Sequence, residues 1–218
     1  GYSLDTPAAL VVELDGVGVE VESEFERVQR ICRDNQSTHI RIAEDPSERA
    51  LIWKGRKAAF AAMGRISPDY FVQDGVIPRT KLGATLTRIG EMSRTAGLRV
   101  ANVFHAGDGN LHPLVLYDST VPGQAEQAEL LATAIVELCV EQGGSITGEH
   151  GVGSDKACSM PKMFTESDLT VMALVRRAFD PEGVCNPGKV LPTPRLCGER
   201  PGPWRPHPLE QAGVIERF

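Results

Sequence analysis

The sequence predicts an α+β domain with a mostly antiparallel sheet and helices packed on one face. Two observations predict this class: short apolar, β-rich segments alternate with segments of helical periodicity, and two apolar runs flank an Asp-Gly turn at residues 108–109. We find no internal repeat and no second domain boundary. One domain is therefore expected over residues 1–192, followed by a Pro- and Arg-rich tail over residues 193–218.

The elements follow from apolar spacing and from start and stop residues. Strands are predicted where short apolar or alternating runs end at Gly, Pro or Asp, and helices where apolar positions recur every three or four residues. The predicted elements, in order, are a strand at 8–14, a helix at 20–34, a strand at 38–42, a helix from 47 to 64, a strand at 70–77, a helix at 80–96 closed by Gly97, a hairpin at 100–117, a helix at 123–142, a short strand at 145–147 and a helix at 166–178.

Charge and composition narrow the classes of function. The 218 residues include 23 basic and 29 acidic side chains, for a net charge of -6 and a pI near 5.4. This balance, with no long basic run, argues against a nucleic-acid partner. No apolar run approaches the ~20 residues of a membrane span. The chain begins with Gly1 rather than Met, and is expected to be part of a longer polypeptide.

The cysteines bear on the compartment. There are five, an odd number, and no CxxC pair occurs, so neither a disulfide framework nor a zinc ribbon is expected. A reducing compartment fits this usage best, and no signal peptide is visible. The expected location is cytoplasmic, including peripheral attachment at the inner face of the membrane.

The hairpin contains the first candidate site. A type I′ turn with Asp108 and Gly109 at its tip would place His105 opposite His112, where directly opposed Cβ atoms are about 4.5–5.5 Å apart on one face. Two imidazoles at that separation can share a metal ion. The alternative is two histidines that merely fall near a turn, and a loop of four or five residues would break the predicted pairing.

The second candidate site is the segment GEHGVG, residues 148–153. Its glycines allow close backbone approach or positive φ, but their order is not the GxGxxG of a dinucleotide fold. Alone, it also fits a solvated glycine-rich turn. With the hairpin, Glu149 completes a set of two His and one carboxylate, which leaves positions open on Zn, Mn or Fe. His150 is then left over as an acid or base.

Two further candidates are weaker on residue type alone. Arg56 interrupts an apolar helix face, and either extends to solvent or holds a carboxylate bidentately. The segment NPGK, residues 186–189, follows a helix stop and lacks the spacing of a P-loop, so by itself it predicts a turn.

Five segments together resemble the C-terminal domain of the FAD-linked oxidases, the vanillyl-alcohol-oxidase-like group, and within it the branch that includes glycolate oxidase and D-lactate dehydrogenase. The resemblance spans about residues 8–192. HAGDGNLH and GEHGVG are its specific pair, whereas NPGK is only supportive. The five segments are GRKAAF, DGVIPRTKL, HAGDGNLHP, GGSITGEHGVG and FDPEGVCNPGKVLP.

The resemblance implies a chemistry and a role for individual residues. Family members of this branch oxidise a 2-hydroxy acid, such as glycolate or D-lactate, to the 2-oxo acid by hydride transfer to FAD, with a divalent metal (Zn, Mn or Fe). It also implies a ferredoxin-like arrangement of the sheet and helices. The roles it assigns are His105, His112 and Glu149 to the metal, His150 to the proton, Arg56 and Asn110 to the substrate, and Asn186 and Lys189 to the flavin side.

The same resemblance implies partners. In the family most FAD contacts come from an N-terminal domain that is absent from this chain, so the chain alone is expected to hold FAD weakly and not to turn over. An iron–sulfur subunit is a further expected partner, with the tail around Cys197 as its docking segment. Two alternatives are a self-contained metal-dependent hydrolase or lyase, and a non-catalytic docking module for that subunit.

Overall fold

The computed structural model describes Thr6 and residues 8–192 of the chain. These residues belong to two compact units, residues 1–62 and residues 63–218. The tail around Cys197, expected to dock a partner, lies outside the described residues. Within the described range, no helix combines the length and the apolar character needed to cross a membrane.

The regular secondary structure described in the first unit is helical. Helix α1 spans Gly18–Asp34, α2 spans Pro46–Lys57 and α3 spans Ala59–Met63, so the helix predicted from 47 to 64 is present but broken at Ala58. Helix α2 begins at Asp45, whose side chain accepts a hydrogen bond of 2.8 Å from the backbone N–H of Glu48.

The two strands predicted in this unit are wrong. Residues 8–14 and 38–42 pair with no strand in the part of the chain that the structure describes. A β-rich or alternating pattern indicates an extended backbone, but a strand also needs a hydrogen-bonding neighbour.

The second unit contains both sheets. Strands β1 (Asp69–Val72), β3 (Arg99–Asn102) and β5 (Pro113–Tyr117) form an antiparallel sheet in the order β1-β5-β3. Strands β2 (Gly75–Val76) and β4 (Asn110–Leu111) form a smaller antiparallel pair. The predicted α+β class with a mostly antiparallel sheet is confirmed.

Helices α4 (Leu82–Ala96) and α5 (Gln124–Glu141) share one apolar core with the larger sheet. Ile89 of α4, Val115 of β5 and Ile135 of α5 are almost fully buried in it. Gly97 ends α4 in the left-handed conformation, with φ of 66°, as the sequence predicts.

A second, smaller core joins α5 to the C-terminal helices. It contains Val136, Ile146 and Met160, with Leu169 and Met172 packed against it. Helix α6 (Met160–Met163) is not predicted by the sequence pattern, whereas α7 (Glu166–Phe179) begins behind Thr165 as predicted. Among the described cysteines, Cys158 is disulfide-bonded, whereas Cys32, Cys139 and Cys185 are free thiols.

The strand predicted at 70–77 is interrupted in the middle. Gln73 and Asp74 separate β1 from β2, although both halves keep one register against the hairpin: Asp69 pairs with Tyr117 and Gly75 pairs with Leu111. Both interrupting residues are buried, and Asp74 is fully buried. The interruption therefore lies inside the fold, where its side chains need internal partners.

Candidate metal centre and active site

Strand β2 brings the two sequence motifs side by side. Val76 pairs with Asn110 of the hairpin on one edge, and with Ser145 on the other through backbone hydrogen bonds of 3.0 and 2.9 Å. At residues 145–147, where a strand is predicted, the structure has this isolated bridge at Ser145. A Cβ on Gly144 would lie 1.7 Å from the carbonyl oxygen of Val76, so this close approach requires glycine.

The hairpin has a different register from the predicted one. His105 pairs with Asn110 through a 2.9 Å hydrogen bond, and Val103 donates to the carbonyl of His112 at 3.2 Å. The loop therefore contains four residues, 106–109. Gly109 has a positive φ of 72°, but Asp108 does not, so the predicted type I′ turn is wrong.

The tip of the hairpin explains this register. The backbone N–H of Ile77 donates to the carbonyl of Gly109 at 2.9 Å, and a Cβ on Gly109 would lie 2.1 Å from the carbonyl oxygen of Ile77. The turn is thus fastened to the segment after β2 and is not a free two-residue tip. The register is shifted by two residues, which leaves every side chain on the face predicted for it.

The histidines lie close together in spite of the shift. The ring centroids of His105 and His112 are 5.5 Å apart, and the rings of His112 and His150 are stacked at 4.9 Å. The Nε2 atoms of His112, His150 and His105 lie 2.9, 3.8 and 3.9 Å from Oε1 of Glu149. The Glu149 carboxylate is therefore the common neighbour of all three imidazoles.

His105, His112 and Glu149 fit a divalent metal. Each offers one donor atom, and these atoms lie within 4.8 Å of one another. Two imidazoles and one carboxylate form a donor set suited to Zn, Mn or Fe, with coordination positions left open. His105 and Glu149 are about half exposed, so a ligand could reach those positions from solvent.

His112 is the buried member of the set. Burial lowers its pKa, and the nearby charge of His150 lowers it further, against the opposing effects of Asp74 and Glu149. Its Nε2 atom lies 2.9 Å from Oε1 of Glu149, and its Nδ1 atom lies 3.9 Å from Oδ1 of Asp74. Nε2 is therefore the ring atom that faces the candidate centre.

Asp74 was not predicted as a site residue. Its Oδ2 atom accepts hydrogen bonds from the Thr147 hydroxyl at 2.6 Å and from the backbone N–H groups of Gly148, Glu149 and His150 at 2.8, 3.1 and 2.9 Å. The available signal was a carboxylate inside the apolar run YFVQDGVI. A charge within a buried strand is rare unless it has partners.

Asp74, His112 and His150 form a second group of atoms at metal-like spacing. Four hydrogen bonds already occupy Oδ2 of Asp74. Its Oδ1 atom accepts a longer one of 3.4 Å from the Glu149 N–H and lies 3.9 Å from Nδ1 of His112. Lys156, only 5% exposed, also lies 3.6 Å from the carboxylate. A cation beside the carboxylate disfavours a metal there, which leaves the His105, His112 and Glu149 set as the candidate centre.

The comparisons with known proteins identify the family of the chain. The family described as "FAD linked oxidases, C-terminal domain" matches residues 1–190. The chain belongs to this family. The family prediction made from the sequence segments is thereby confirmed.

Relatives in this family include glycolate oxidase subunits. The chain is 50% identical over 199 residues to the glycolate oxidase subunit GlcD of Escherichia coli (strain K12), which covers 91% of this chain and 40% of the relative. It is 30% identical to the subunit of the same name from Bacillus subtilis (strain 168), with 88% and 41% covered.

A D-lactate dehydrogenase and a solved structure extend the comparison. The mitochondrial D-lactate dehydrogenase [cytochrome] of Arabidopsis thaliana is 29% identical, with 90% of this chain and 35% of the relative covered. The chain thus spans about two fifths of the length of these curated relatives. A structure of 4-ethylphenol oxidase from Gulosibacter chungangensis, in complex with isoeugenol, has a TM-score of 0.56 at 16% identity, with 85% of this chain and 38% of that one covered, and supports the fold.

The family resemblance also assigns roles to three residues outside the candidate metal ligands. Asn110 is buried beside the centre, where a Cβ on Gly148 would lie 2.8 Å from its side-chain oxygen. Arg56 lies in α2 of the first unit and is half-buried. Asn186 has a left-handed backbone with φ of 44°. The roles of all three remain predictions.

Lys189 and His150 line the same cavity in the second unit. The cavity has a volume of about 260 Å³, and its lining includes Val72, His150, Lys156 and Lys189. The Lys189 ammonium donates to the Ser154 hydroxyl at 3.2 Å. His150 therefore faces two neighbours: the Glu149 carboxylate and a cavity with a cationic wall.

Proposed function

We propose that this chain is the substrate- and metal-binding part of a flavin-dependent oxidoreductase that oxidises a 2-hydroxy acid, glycolate or D-lactate, to the 2-oxo acid. The observation that carries the proposal is the convergence of His105, His112 and His150 on the Glu149 carboxylate. The names of the relatives, glycolate oxidase subunit and D-lactate dehydrogenase, support the substrate class.

In this proposal His105, His112 and Glu149 hold a divalent metal, Zn, Mn or Fe, and FAD is held mostly by a domain outside this chain. A metal held there would act as a Lewis acid toward the hydroxyl and carboxylate oxygens of the substrate, and FAD would supply the redox chemistry. Asn110 and Arg56 orient the substrate, and Asn186 and Lys189 face the flavin side.

His150 takes the hydroxyl proton at Nε2. That atom lies 3.8 Å from Oε1 of Glu149, beside the residues that would hold the metal. The stack on His112, with an angle of 8° between the rings, fixes the plane of the imidazole. Transfer of a proton to a positioned base typically contributes about 10²–10⁴-fold to a rate.

The first test is ligand binding to the chain loaded with Mn²⁺, measured by isothermal titration calorimetry. Glycolate and acetate differ by the hydroxyl that the proposal places on the metal. Glycolate is expected to bind at least about tenfold more tightly than acetate, because only glycolate can chelate. Without the metal, the two acids are expected to bind equally weakly. Equal affinity in the presence of the metal would contradict the proposal.

The second test addresses turnover. The chain is fused behind the part of the Escherichia coli relative that it does not match, and reduction of an electron-accepting dye by glycolate or D-lactate is followed. The fusion is expected to be active, to lose activity in the His150→Ala variant, and to contain FAD. The 218-residue chain alone is expected to be inactive and to lose flavin absorbance on desalting.

A metal-dependent hydrolase is the second candidate, because the same ligand set with open positions also suits attack by metal-bound water. A panel of ester and amide substrates, assayed on the metal-loaded chain, distinguishes it from the oxidoreductase. Hydrolysis that is lost in His105→Ala would favour this alternative over the leading proposal.

Partners and location complete the proposal. We propose an iron–sulfur subunit as the electron-accepting partner, docked by residues 193–218, and a cytoplasmic location at or near the inner face of the membrane. Deletion of residues 193–218 is expected to abolish co-purification of an iron–sulfur partner, and cell fractionation tests the location. Unchanged complex formation after the deletion would dispose of this role for the tail.

A further inference from the structure

We propose that Asp74 is a positioning residue of the candidate centre, an inference that rests on the proposed function. Its carboxylate fixes the backbone from which Glu149 and His150 project. The set formed by Asp74 and its four donors, the Thr147 hydroxyl and the backbone N–H groups of residues 148–150, is called here the Asp74 cluster.

The first step of the argument is the geometry of the donors. Three consecutive N–H groups and one hydroxyl point at the same oxygen atom, Oδ2, over 2.6–3.1 Å. Successive N–H groups that converge in this way form a concave site for an anion. Here the anion is a side chain of the protein itself, from the interrupted strand between β1 and β2.

The second step is burial. Asp74 has no exposed surface, and hydrogen bonds to an ionised group are stronger than those between neutral groups. Lys156 stands behind the carboxylate: its ammonium donates to the backbone carbonyl of Asp74 at 2.6 Å and lies 3.6 Å from Oδ2. The charge is therefore compensated inside the fold, and the cluster does not depend on solvent.

The third step is what the cluster holds. The Thr147 hydroxyl also accepts a 2.8 Å hydrogen bond from the Gly151 N–H, which closes the turn around residues 147–151. The second oxygen of Asp74 faces Nδ1 of His112 at 3.9 Å. One carboxylate thus lies behind a ligand from the hairpin and behind the loop that carries Glu149 and His150.

The consequence concerns Glu149 in particular. Its side chain is 52% exposed. The three imidazoles that it contacts belong to the other two prospective ligands and to the proposed base. Its position before the metal binds depends on its backbone, which Asp74 fixes. Outer partners that orient metal ligands are commonly responsible for about 10–100-fold of the metal affinity.

The experiment uses Co²⁺ as a spectroscopic probe on the 218-residue chain, with amide hydrogen exchange of residues 147–151 as a second readout on the metal-free chain. Asp74→Asn keeps the shape of the side chain but removes its charge. We expect its Co²⁺ dissociation constant to rise about 10–100-fold, with a changed Co²⁺ absorption band and faster exchange at residues 148–150. Unchanged affinity and exchange in the folded variant would overturn the inference.

Asp168→Asn is the matched control. Asp168 also accepts hydrogen bonds from a threonine hydroxyl and a backbone N–H, those of Thr165, but it does so in the N-terminal cap of α7. This variant is expected to leave Co²⁺ affinity and the exchange of residues 148–150 unchanged. An equal loss in both variants would overturn the inference, because it would reflect general destabilisation.

A milder pair keeps the test decisive if Asp74→Asn does not fold. Thr147→Val removes one donor of the cluster and Thr147→Ser retains it, so the first is expected to weaken Co²⁺ binding several-fold and the second to restore it. Equal affinities would overturn the inference. If the wild-type chain binds no Co²⁺, the proposed function fails, while hydrogen exchange in the Thr147 pair still decides whether the cluster fixes the loop.

Discussion

Oε1 of Glu149 lies 2.9 Å from Nε2 of His112, although one residue belongs to the GEHGVG segment and the other to the hairpin. Strand β2 produces this contact, because Val76 pairs with Asn110 of the hairpin on one edge and with Ser145, three residues before GEHGVG, on the other. Strand β2 thereby holds two loops side by side, and these loops supply the three prospective ligand atoms. The positions of these atoms are set by backbone hydrogen bonds between strands and not by long, flexible side chains.

The first prediction concerns metal content. The purified chain is expected to carry about one divalent metal, and His105→Ala is expected to lose it, because a three-ligand site with one ligand removed binds metal weakly. Elemental analysis of both proteins, with no metal added during preparation, makes the measurement. His39→Ala is the control, because His39 is an exposed histidine of the first unit.

Two outcomes would contradict this prediction. In one, His39→Ala loses as much metal as His105→Ala, which would indicate nonspecific binding to surface imidazoles. In the other, the chain binds no metal even when Zn or Mn is supplied in excess. The second result would leave the family assignment standing and would remove the proposed role of this chain as the metal-binding part.

The second prediction concerns Gly148. A Cβ at this position would lie 2.8 Å from Cγ and Oδ1 of Asn110 and from Cγ2 of Val76, all of which belong to paired strands that resist displacement. Gly148→Ala is expected to lower the free energy of unfolding by about 1–3 kcal/mol through overpacking, and to weaken metal binding by displacing Glu149. Urea denaturation and a metal titration make the two measurements.

Gly107→Ala is the control for that substitution. Gly107 lies in the same hairpin loop, but a Cβ there meets no atom within 4 Å. Both measured quantities should therefore stay close to those of the wild type. If the two alanine variants behave alike, the close approach of Gly148 to Asn110 is not what holds the loop.

The sequence predicted the proximity of the two hairpin histidines better than it predicted the turn between them. Side chains alternate between the two faces of a strand, so a shift of two residues in the register leaves each side chain on the same face. His105 and His112 were therefore placed on one face although their register was wrong. The shift comes from Gly109, which pairs with Ile77 across the smaller sheet. That tertiary contact has no signal in the local pattern of the hairpin.

The predictions of helices and of strands also differ in how far they depend on contacts distant in the sequence. Helices α1, α4, α5 and α7 follow from apolar spacing within each segment. The segments at 8–14 and 38–42, in contrast, find no strand partner among the residues that the structure describes. Asp74 was missed for a related reason. The local pattern signals only a carboxylate within an apolar run, whereas its hydrogen-bond donors lie more than 70 positions later in the chain.

The third prediction is a pH dependence of stability. Burial by itself would raise the pKa of Asp74, but the Thr147 hydroxyl, the N–H groups of His150 and Gly148, and the charge of Lys156 together lower it well below the ordinary 3.8. The folded chain then keeps a carboxylate ionised where the unfolded chain takes up a proton. The stabilisation is fully present above the unfolded pKa and is lost as the pH falls toward the folded pKa.

Urea denaturation of wild type and Asp74→Asn between about pH 6 and pH 3 measures this effect. The difference in free energy of unfolding should be largest above about pH 5, and should shrink below it by at most ~1.4 kcal/mol per pH unit. Taking the difference removes the contributions of other carboxylates. A difference that does not change with pH would show that Asp74 is not preferentially ionised in the folded state.

The fourth prediction concerns the loop that carries Lys189. The Arg176 guanidinium donates to the carbonyls of Lys189 at 2.9 Å and Asn186 at 2.7 Å, and also contacts the carbonyl of Cys185. Asn186 and Val190 have positive φ of 44° and 70°, a conformation that is costly for a β-branched residue such as valine. Arg176 therefore holds a strained loop in place beside the cavity that contains His150.

Arg176→Lys is expected to release this loop, because a single ammonium cannot reproduce the planar fork that reaches several carbonyls at once. Loss of charged hydrogen bonds worth about 1.5–3 kcal/mol should speed amide exchange of residues 185–190 by about tenfold or more, while the exchange of β5 stays unchanged. Hydrogen-exchange mass spectrometry makes the measurement. Arg177→Lys, at an exposed neighbouring position on α7, should leave both segments as in the wild type. Equal exchange at residues 185–190 in the two variants would show that the strained loop is held by other contacts, of which the 2.7 Å hydrogen bond from Val190 to Gly153 would be the first to test.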